Sequence, residues 1–191
     1  ILPLHFTIPA KVHQPQLIRE HYGKMQRLLE SFEHLTVFYN GPKCGASAPD
    51  HMHLQAGTGS HLPLRDNWEQ LYSNRQTLLS TPDGSELAAT NNYACPVFAI
   101  VGRDAKADAA LFEALYKALP QREDETEPMF NILKWRNGET YITVVIPRDK
   151  HRPACYSAEG DAQMLISPGA LDMAGLVITP RKEDFERLDT P

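Results

Sequence analysis

Apolar positions recur along this chain with two periods, and the switch between them outlines the elements. LHFTI (4–8) reads as a strand closed by Pro9. Leu17, Ile18, Tyr22, Met25, Leu28, Leu29 and Phe32 then recur at helical spacing, which predicts a helix from about Pro15 to Glu33. LTVFYN (35–40) is rich in β-formers and breaks at Gly41-Pro42. A strand is expected over 51–56. A helix is expected over Asn67–Ser80, carried by Trp68, Leu71, Tyr72, Leu78 and Leu79, with a turn at TPDGS (81–85). YACPVFAIVG (93–102) reads as a buried strand that Pro96 pushes toward an edge or a bulge. Ala107, Leu111, Leu115, Tyr116 and Leu119 predict a helix over Asp104–Leu119. QREDETEP (121–128) reads as a charged surface loop. FNILKW (130–135) and TYITVVI (140–146) flank RNGE, where Asn137-Gly138 signals a hairpin. Residues 164–179 mix a strand, a short helical turn and a strand. Thr179-Pro180 opens a last helix, with Thr as cap and Pro in its first turn. Strands and helices are interspersed and at least one strand pair is antiparallel, so the expected class is α+β, a single sheet with helices packed on it.

Composition narrows the function classes. The 191 residues suffice for one domain with a sizeable core. With 42% hydrophobic and 23% charged residues the chain is ordinary for a globular protein. A net charge of −5 argues against nucleic acid as a partner, because duplex binding needs a basic face. No apolar run reaches the roughly 18 residues that a membrane span needs. Cys44, Cys95 and Cys155 are scattered and odd in number, which fits reduced thiols and a cytoplasmic setting, and no CxxC pair marks a zinc ribbon. The opening ILPLHFTIPA is apolar and lacks a methionine, so a piece of the native chain is expected to precede Ile1, and a targeting segment there stays open.

One stretch carries candidate chemistry: GASAPDHMHLQAG (45–57). In a strand, side chains at i, i+2 and i+4 share a face, so His51, His53 and Gln55 would point together and Met52 and Leu54 into a core. Gly45, Ala46, Ser47 and Ala48 precede them, small residues whose backbone N–H groups a ligand can approach, as in an anion-binding nest. Three readings compete. The histidines are structural; or two of them bind a metal ion, although glutamine is a poor ligand and no carboxylate or thiolate shares the stripe; or one histidine attacks phosphorus while its neighbours hold phosphate oxygens.

These residues resemble a known family. His51-Met52-His53-Leu54-Gln55 matches the His-x-His-x-Gln signature of the transferase branch of the histidine-triad (HIT) superfamily. That branch includes galactose-1-phosphate uridylyltransferase, the diadenosine tetraphosphate phosphorylases and the GDP-hexose phosphorylases. The hydrolase branch carries a third histidine where this chain has Gln55. HFTIPAKVHQPQ (5–16), FNILKWRNGETYITVVIPRDKHRP and ALDMAGLVITPRKEDFERL are similar to further parts of the phosphorylases, so the likeness covers most of the chain loosely. It implies a single HIT-like domain over residues 1–191, mostly antiparallel, with a C-terminal extension from about 120. It also implies a nucleotidyltransferase or phosphorylase that acts on a nucleoside polyphosphate or nucleotide sugar, with phosphate or a sugar phosphate as acceptor. Hydrolysis of similar substrates and a non-catalytic nucleotide sensor are the alternatives. Monomer and homodimer both stay open. No resident metal is implied; Mg2+ would accompany the substrate.

Carried over by position, the resemblance makes His53 the nucleophile, with His51 and Gln55 holding phosphate oxygens. Gly45, Ala46 and Ser47 would bind the phosphoryl group, joined by Asn40. A neutral imidazole is nucleophilic near pH 7, and its other ring N–H needs an acceptor, expected to be a backbone carbonyl in the preceding loop. Gln55 can donate to a phosphate oxygen but supplies no titrating proton, which favours an intermediate that waits for a second phosphate. For charge, the candidates are Lys43 beside the loop and the Arg148, Lys150, His151, Arg152 cluster. Arg181 and Lys182 read as surface, His5 and His61 as incidental, and Cys44 as a small packing residue.

Overall fold

The computed structural model describes residues 2–58 and 61–188. Eight strands form one antiparallel sheet: β1 (His5–Pro9), β2 (Leu35–Asn40), β3 (His53–Thr58), β4 (Gln76–Ser80), β5 (Glu86–Thr90), β6 (Val97–Gly102), β7 (Phe130–Asn137) and β8 (Thr140–Pro147). Their order across the sheet is β1-β3-β2-β7-β8-β6-β5-β4. The class is therefore α+β, with helices on both faces of a single sheet.

The period-2 alternation sorts side chains onto two cores. On one face Val37, Tyr39, Leu54, Ala56, Ile132 and Val145 pack under α1 (Tyr22–Ser31) and α4 (Ala105–Ala118), which contribute Tyr22, Met25, Leu29, Leu111, Phe112 and Leu115. On the other, Phe38, Leu133, Trp135, Ile142 and Val144 meet α2 (Pro63–Asp66), α3 (Trp68–Ser73) and α5 (Ala170–Met173), with Leu62, Trp68 and Leu171 among the buried contacts. A further short helix, α6 (Lys182–Glu186), ends the described chain. Within β7 the alternation also buries Lys134 on the α4 face, where Nζ meets Asp108 Oδ2 at 2.5 Å.

Several elements differ from the expectation, each for a physical reason. The helix expected from Pro15 begins only at Tyr22, because residues 10–21 are drawn into contacts with β3 and the 41–52 loop: Ala10 N donates to Met52 O and Gln16 N to Pro49 O. The helix expected over Asn67–Ser80 stops at Ser73. Gln76–Ser80 is instead the edge strand β4, hairpinned through TPDGS onto β5, a strand whose short Ala-rich sequence carries little signal of its own. All five β4 residues are exposed, and its Leu78 and Leu79 gave the misleading helical spacing. The strand expected over 93–102 starts at Val97, directly after Pro96, and is interior to the sheet. In the β7–β8 hairpin Asn137 pairs with Thr140, so the two-residue turn is Gly138-Glu139, with Gly138 at φ 59°. No strand flanks α5, and the last helix starts at Lys182, with Arg181 and not Thr179 at its N-cap. The helix over Asp104–Leu119 forms as Ala105–Ala118, with the Asp104 carboxylate accepting from the N–H groups of Lys106 and Ala107.

Candidate active site

β3 starts at His53, two residues later than expected, so the pleat sets only His53 and Gln55 on a common face. That face is the one carrying Phe38, which pairs with Gln55 across β2 and β3. Continuing the register brings Asn40 across from His53. The ladder is not closed there by the two strands alone. The fully buried Gln16 side chain inserts: its Nε2 donates to Asn40 O and to His53 O, both at 3.0 Å, and its Oε1 accepts from His53 N at 2.7 Å. Gln16 thus fixes the main chain of the candidate nucleophile.

The ring of His53 is fixed as well. Its Nδ1 lies 2.8 Å from His51 O. A carbonyl only accepts, so Nδ1 carries the proton and the neutral ring has its lone pair on Nε2. No protein hydrogen bond reaches that Nε2 among the described residues. His51 acts here through its backbone. Its own ring has turned away: Nε2 donates to Ala10 O at 2.8 Å, and the ring packs edge-on against His13 with centroids 5.0 Å apart.

Beside these residues a cleft of about 220 Å³ opens on the same face, lined by His5, Phe38, Asn40, Gly45, Ser47, Gln55 and, from the C-terminal segment, Ser167, Gly169, Ala170, Leu171, Asp172, Ile178 and Pro180. His53 is not itself part of that lining. It is 5% exposed, one pleat from Gln55, and borders a second hollow of about 380 Å³ between β1 and α1. Loop and C-terminal segment meet backbone to backbone. Gly45 has φ +92°, and a Cβ there would stand 2.6 Å from the Gly169 Cα, so glycine is required twice over. Asn40 Oδ1 accepts from Asn131 Nδ2 at 2.9 Å and from Ala170 N at 2.7 Å, which leaves Nδ2 as its free hydrogen-bonding atom.

The expected cations stand elsewhere. Lys43 is ion-paired to Asp124 at 3.0 Å and Glu125 at 2.7 Å, on the loop that the sequence marks as charged surface. Arg148 is half-buried and structural: Nη1 donates to Asn131 Oδ1 and Pro168 O, Nη2 to the carbonyls of Lys150 and His151. Burial lowers its pKa. Through Asn131, which also donates to Cys44 O at 2.7 Å, Arg148 braces Asn40 at one remove. Lys150 is exposed, and Arg152 lies over the Tyr156 ring and bonds Ser167. Burial pushes the Cys44 thiol up to about 12, so it is a packing residue. Ala46 lies in the loop between Gly45 and Ser47. His61 is exposed and carries a positive φ of 67°.

The cleft is therefore neutral to polar. Its titratable lining groups are His5 and Asp172, and the Asp172 oxygens already accept from Gly169 N and Ile178 N. No group of three or more His, Cys, Asp or Glu residues able to hold a metal ion occurs among the described residues, and no described helix is long and apolar enough to cross a membrane. Sequence reasoning did not find Gln16, Asn131, His5 or the C-terminal roof. Gln16 carried a signal only in hindsight, as a polar residue inside an apolar helical period.

Residues 1–58 match the family model "Domain of unknown function (DUF4922)", which covers less than a third of the chain. No curated protein matches the sequence. Among solved structures, yeast Ap4A phosphorylase Apa2 in complex with AMP superposes with TM-score 0.63 at 20% identity over 98% of this chain. The chain spans 64% of the length of that protein, which is also known in complex with Ap4A. A DUF4931 family protein from Bacillus cereus ATCC 10987 superposes with TM-score 0.52 at 17% identity, covering 85% of this chain and 86% of that one. The fold is HIT-like. At these identities the likeness is one of fold.

Proposed function

We propose that this chain is a nucleotidyltransferase of the phosphorylase type, with His53 as nucleophile. The observation that carries the reading is the 2.8 Å contact from His53 Nδ1 to His51 O, which leaves the Nε2 lone pair unengaged. In the first step Nε2 attacks the α-phosphorus of a nucleoside polyphosphate or nucleotide sugar. A P–N bond forms, the P–O bond to the remaining polyphosphate or sugar phosphate breaks, and its electron pair leaves with that oxygen. The Nδ1 proton stays on the ring, and its hydrogen bond to His51 O tightens as the imidazole gains positive charge. In the second step an oxygen of phosphate or of a sugar phosphate displaces the histidine and restores the neutral ring.

The polar cleft supports this reading by what it can donate. Asn40 Nδ2, Gln55, the Ser47 and Ser167 hydroxyls and the backbone around Gly45 offer neutral donors for phosphate oxygens. No lysine or arginine lines that cleft among the described residues, whereas Lys24 and Arg27 line the hollow that His53 borders. The scheme needs no resident metal; Mg2+ would arrive with the substrate phosphates. The likeness in fold to a protein solved with AMP and with Ap4A makes an adenine nucleotide the first candidate.

Intact-mass spectrometry after mixing with Ap4A tests the reading. The wild type should gain one adenylyl group, the mass of AMP less water, and His53→Ala should gain none. The adduct should clear on adding orthophosphate and persist in its absence. Rapid clearance in plain buffer would instead make water the acceptor, and no adduct with Ap4A or a nucleotide sugar would sink the proposal.

A further inference from the structure

We propose that His5 is a positioning residue that holds the Gln55 carboxamide so that its N–H groups, and not its oxygen, face the cleft. The inference rests on the nucleotidyl-transfer reading and names what sets the polarity of that site. A carboxamide has two ends of nearly equal shape and opposite hydrogen-bonding sense. Left free, Gln55 would offer either end to a phosphate, and an oxygen turned toward an anionic oxygen repels it.

Here the choice is made by a neighbouring strand. His5 Nε2 lies 2.8 Å from Gln55 Oε1. A carboxamide oxygen only accepts, so the histidine nitrogen donates and Gln55 Nε2 is left for the cleft that both residues line. The placement follows from register. Thr7 of β1 stands opposite Gln55 of β3, so His5, two residues back on the same face, is the diagonal neighbour. Its ring is held edge-on to Phe38, with centroids 5.5 Å apart and planes 79° apart. Phe38, 1% exposed, cannot move aside. β1 thereby contributes to the site through Gln55.

A double-mutant cycle tests the inference. His5→Phe keeps an aromatic ring against Phe38 and removes the donor. Single-turnover transfer from Ap4A to His53 should slow about ten- to hundredfold, the size of one hydrogen bond to a charged oxygen. Gln55→Leu should slow it comparably, and the double variant should be no slower than Gln55→Leu alone. Losses that multiply would overturn the inference while leaving the transferase reading intact. A wild type that never acquires the adduct would remove that reading and this inference with it. A second measurement needs no variant that folds: in the 15N NMR spectrum of the ligand-free wild type the neutral His5 ring should carry its proton on Nε2. A proton on Nδ1 alone would sink the inference.

Discussion

At the scale of single residues, the site is organised by side chains that bond backbone. Gln16 saturates its carboxamide between β2 and β3, and His51 lends His53 a carbonyl. Removing Gln16 strands a buried N–H and two carbonyls at the point where His53, the proposed nucleophile, is mounted. Gln16→Ala should therefore cost about 2–4 kcal/mol in urea unfolding, since each buried unpaired group costs about 1–3 kcal/mol. It should also lower the rate of adduct formation at His53. Loss of stability with unchanged adduct formation would mean that Gln16 supports the fold without aiming the ring. The shared face of His53 and Gln55 was legible from alternation. The turn of the His51 ring toward Ala10 was not, because the strand starts after it and the pleat rule does not reach it.

At the scale of elements, α4 and the β7–β8 hairpin are the parts the sequence showed most plainly. The helix has a capping aspartate and a continuous apolar period, and the hairpin has long alternating strands around a glycine turn. Their join holds a buried ion pair that no local pattern announces. Lys134 of β7 is fully buried and Asp108 of α4 nearly so, with Tyr22 Oη 3.4 Å from the ammonium and Asp108 Oδ1 unpaired. Burial lowers the Lys134 pKa, while the Asp108 charge opposes that shift. Lys134→Met should leave a buried carboxylate without its counter-charge and cost about 3–5 kcal/mol in thermal or urea unfolding. Adding Asp108→Leu should restore most of that loss. A double variant as unstable as the single would show that the pair's worth lies in packing and not in charge.

At the scale of the whole molecule, pH should act through Glu127. This buried carboxyl accepts from Ile18 N at 3.1 Å and from the Tyr39 hydroxyl, whose oxygen also lies 3.1 Å from Gln16 O. Burial pushes it from an ordinary 4.5 up to about 7, against the opposing effects of Tyr39 and Ile18. The folded state therefore holds this proton longer than the unfolded one. Its contribution is full below about pH 4.5 and fades as pH rises through about 7, a span on the order of 3 kcal/mol. Glu127→Gln mimics the protonated acid. Relative to wild type it should gain stability between pH 5 and pH 8, read as the difference between the two denaturation midpoints. A difference that stays flat with pH would remove Glu127 as the titrating group. Tyr39 stands between Glu127 and the backbone carbonyl of Gln16, the residue whose side chain bonds the His53 main chain.

Period and turn chemistry are local properties of a chain, and they determined the α+β class, the central hairpin, the α4 helix and the shared face of His53 and Gln55. Resemblance in one five-residue motif supplied the candidate chemistry. Only the tertiary structure decided what those residues face. Gln16 reaches 37 residues along the chain to His53, and Ala170 reaches 130 residues to Asn40. Lys43 turns to the acidic loop because that loop folds beside it, and Arg148 spends its donors on carbonyls that converge around it. Such bonds depend on where distant segments come to rest, which single-strand periodicity does not encode.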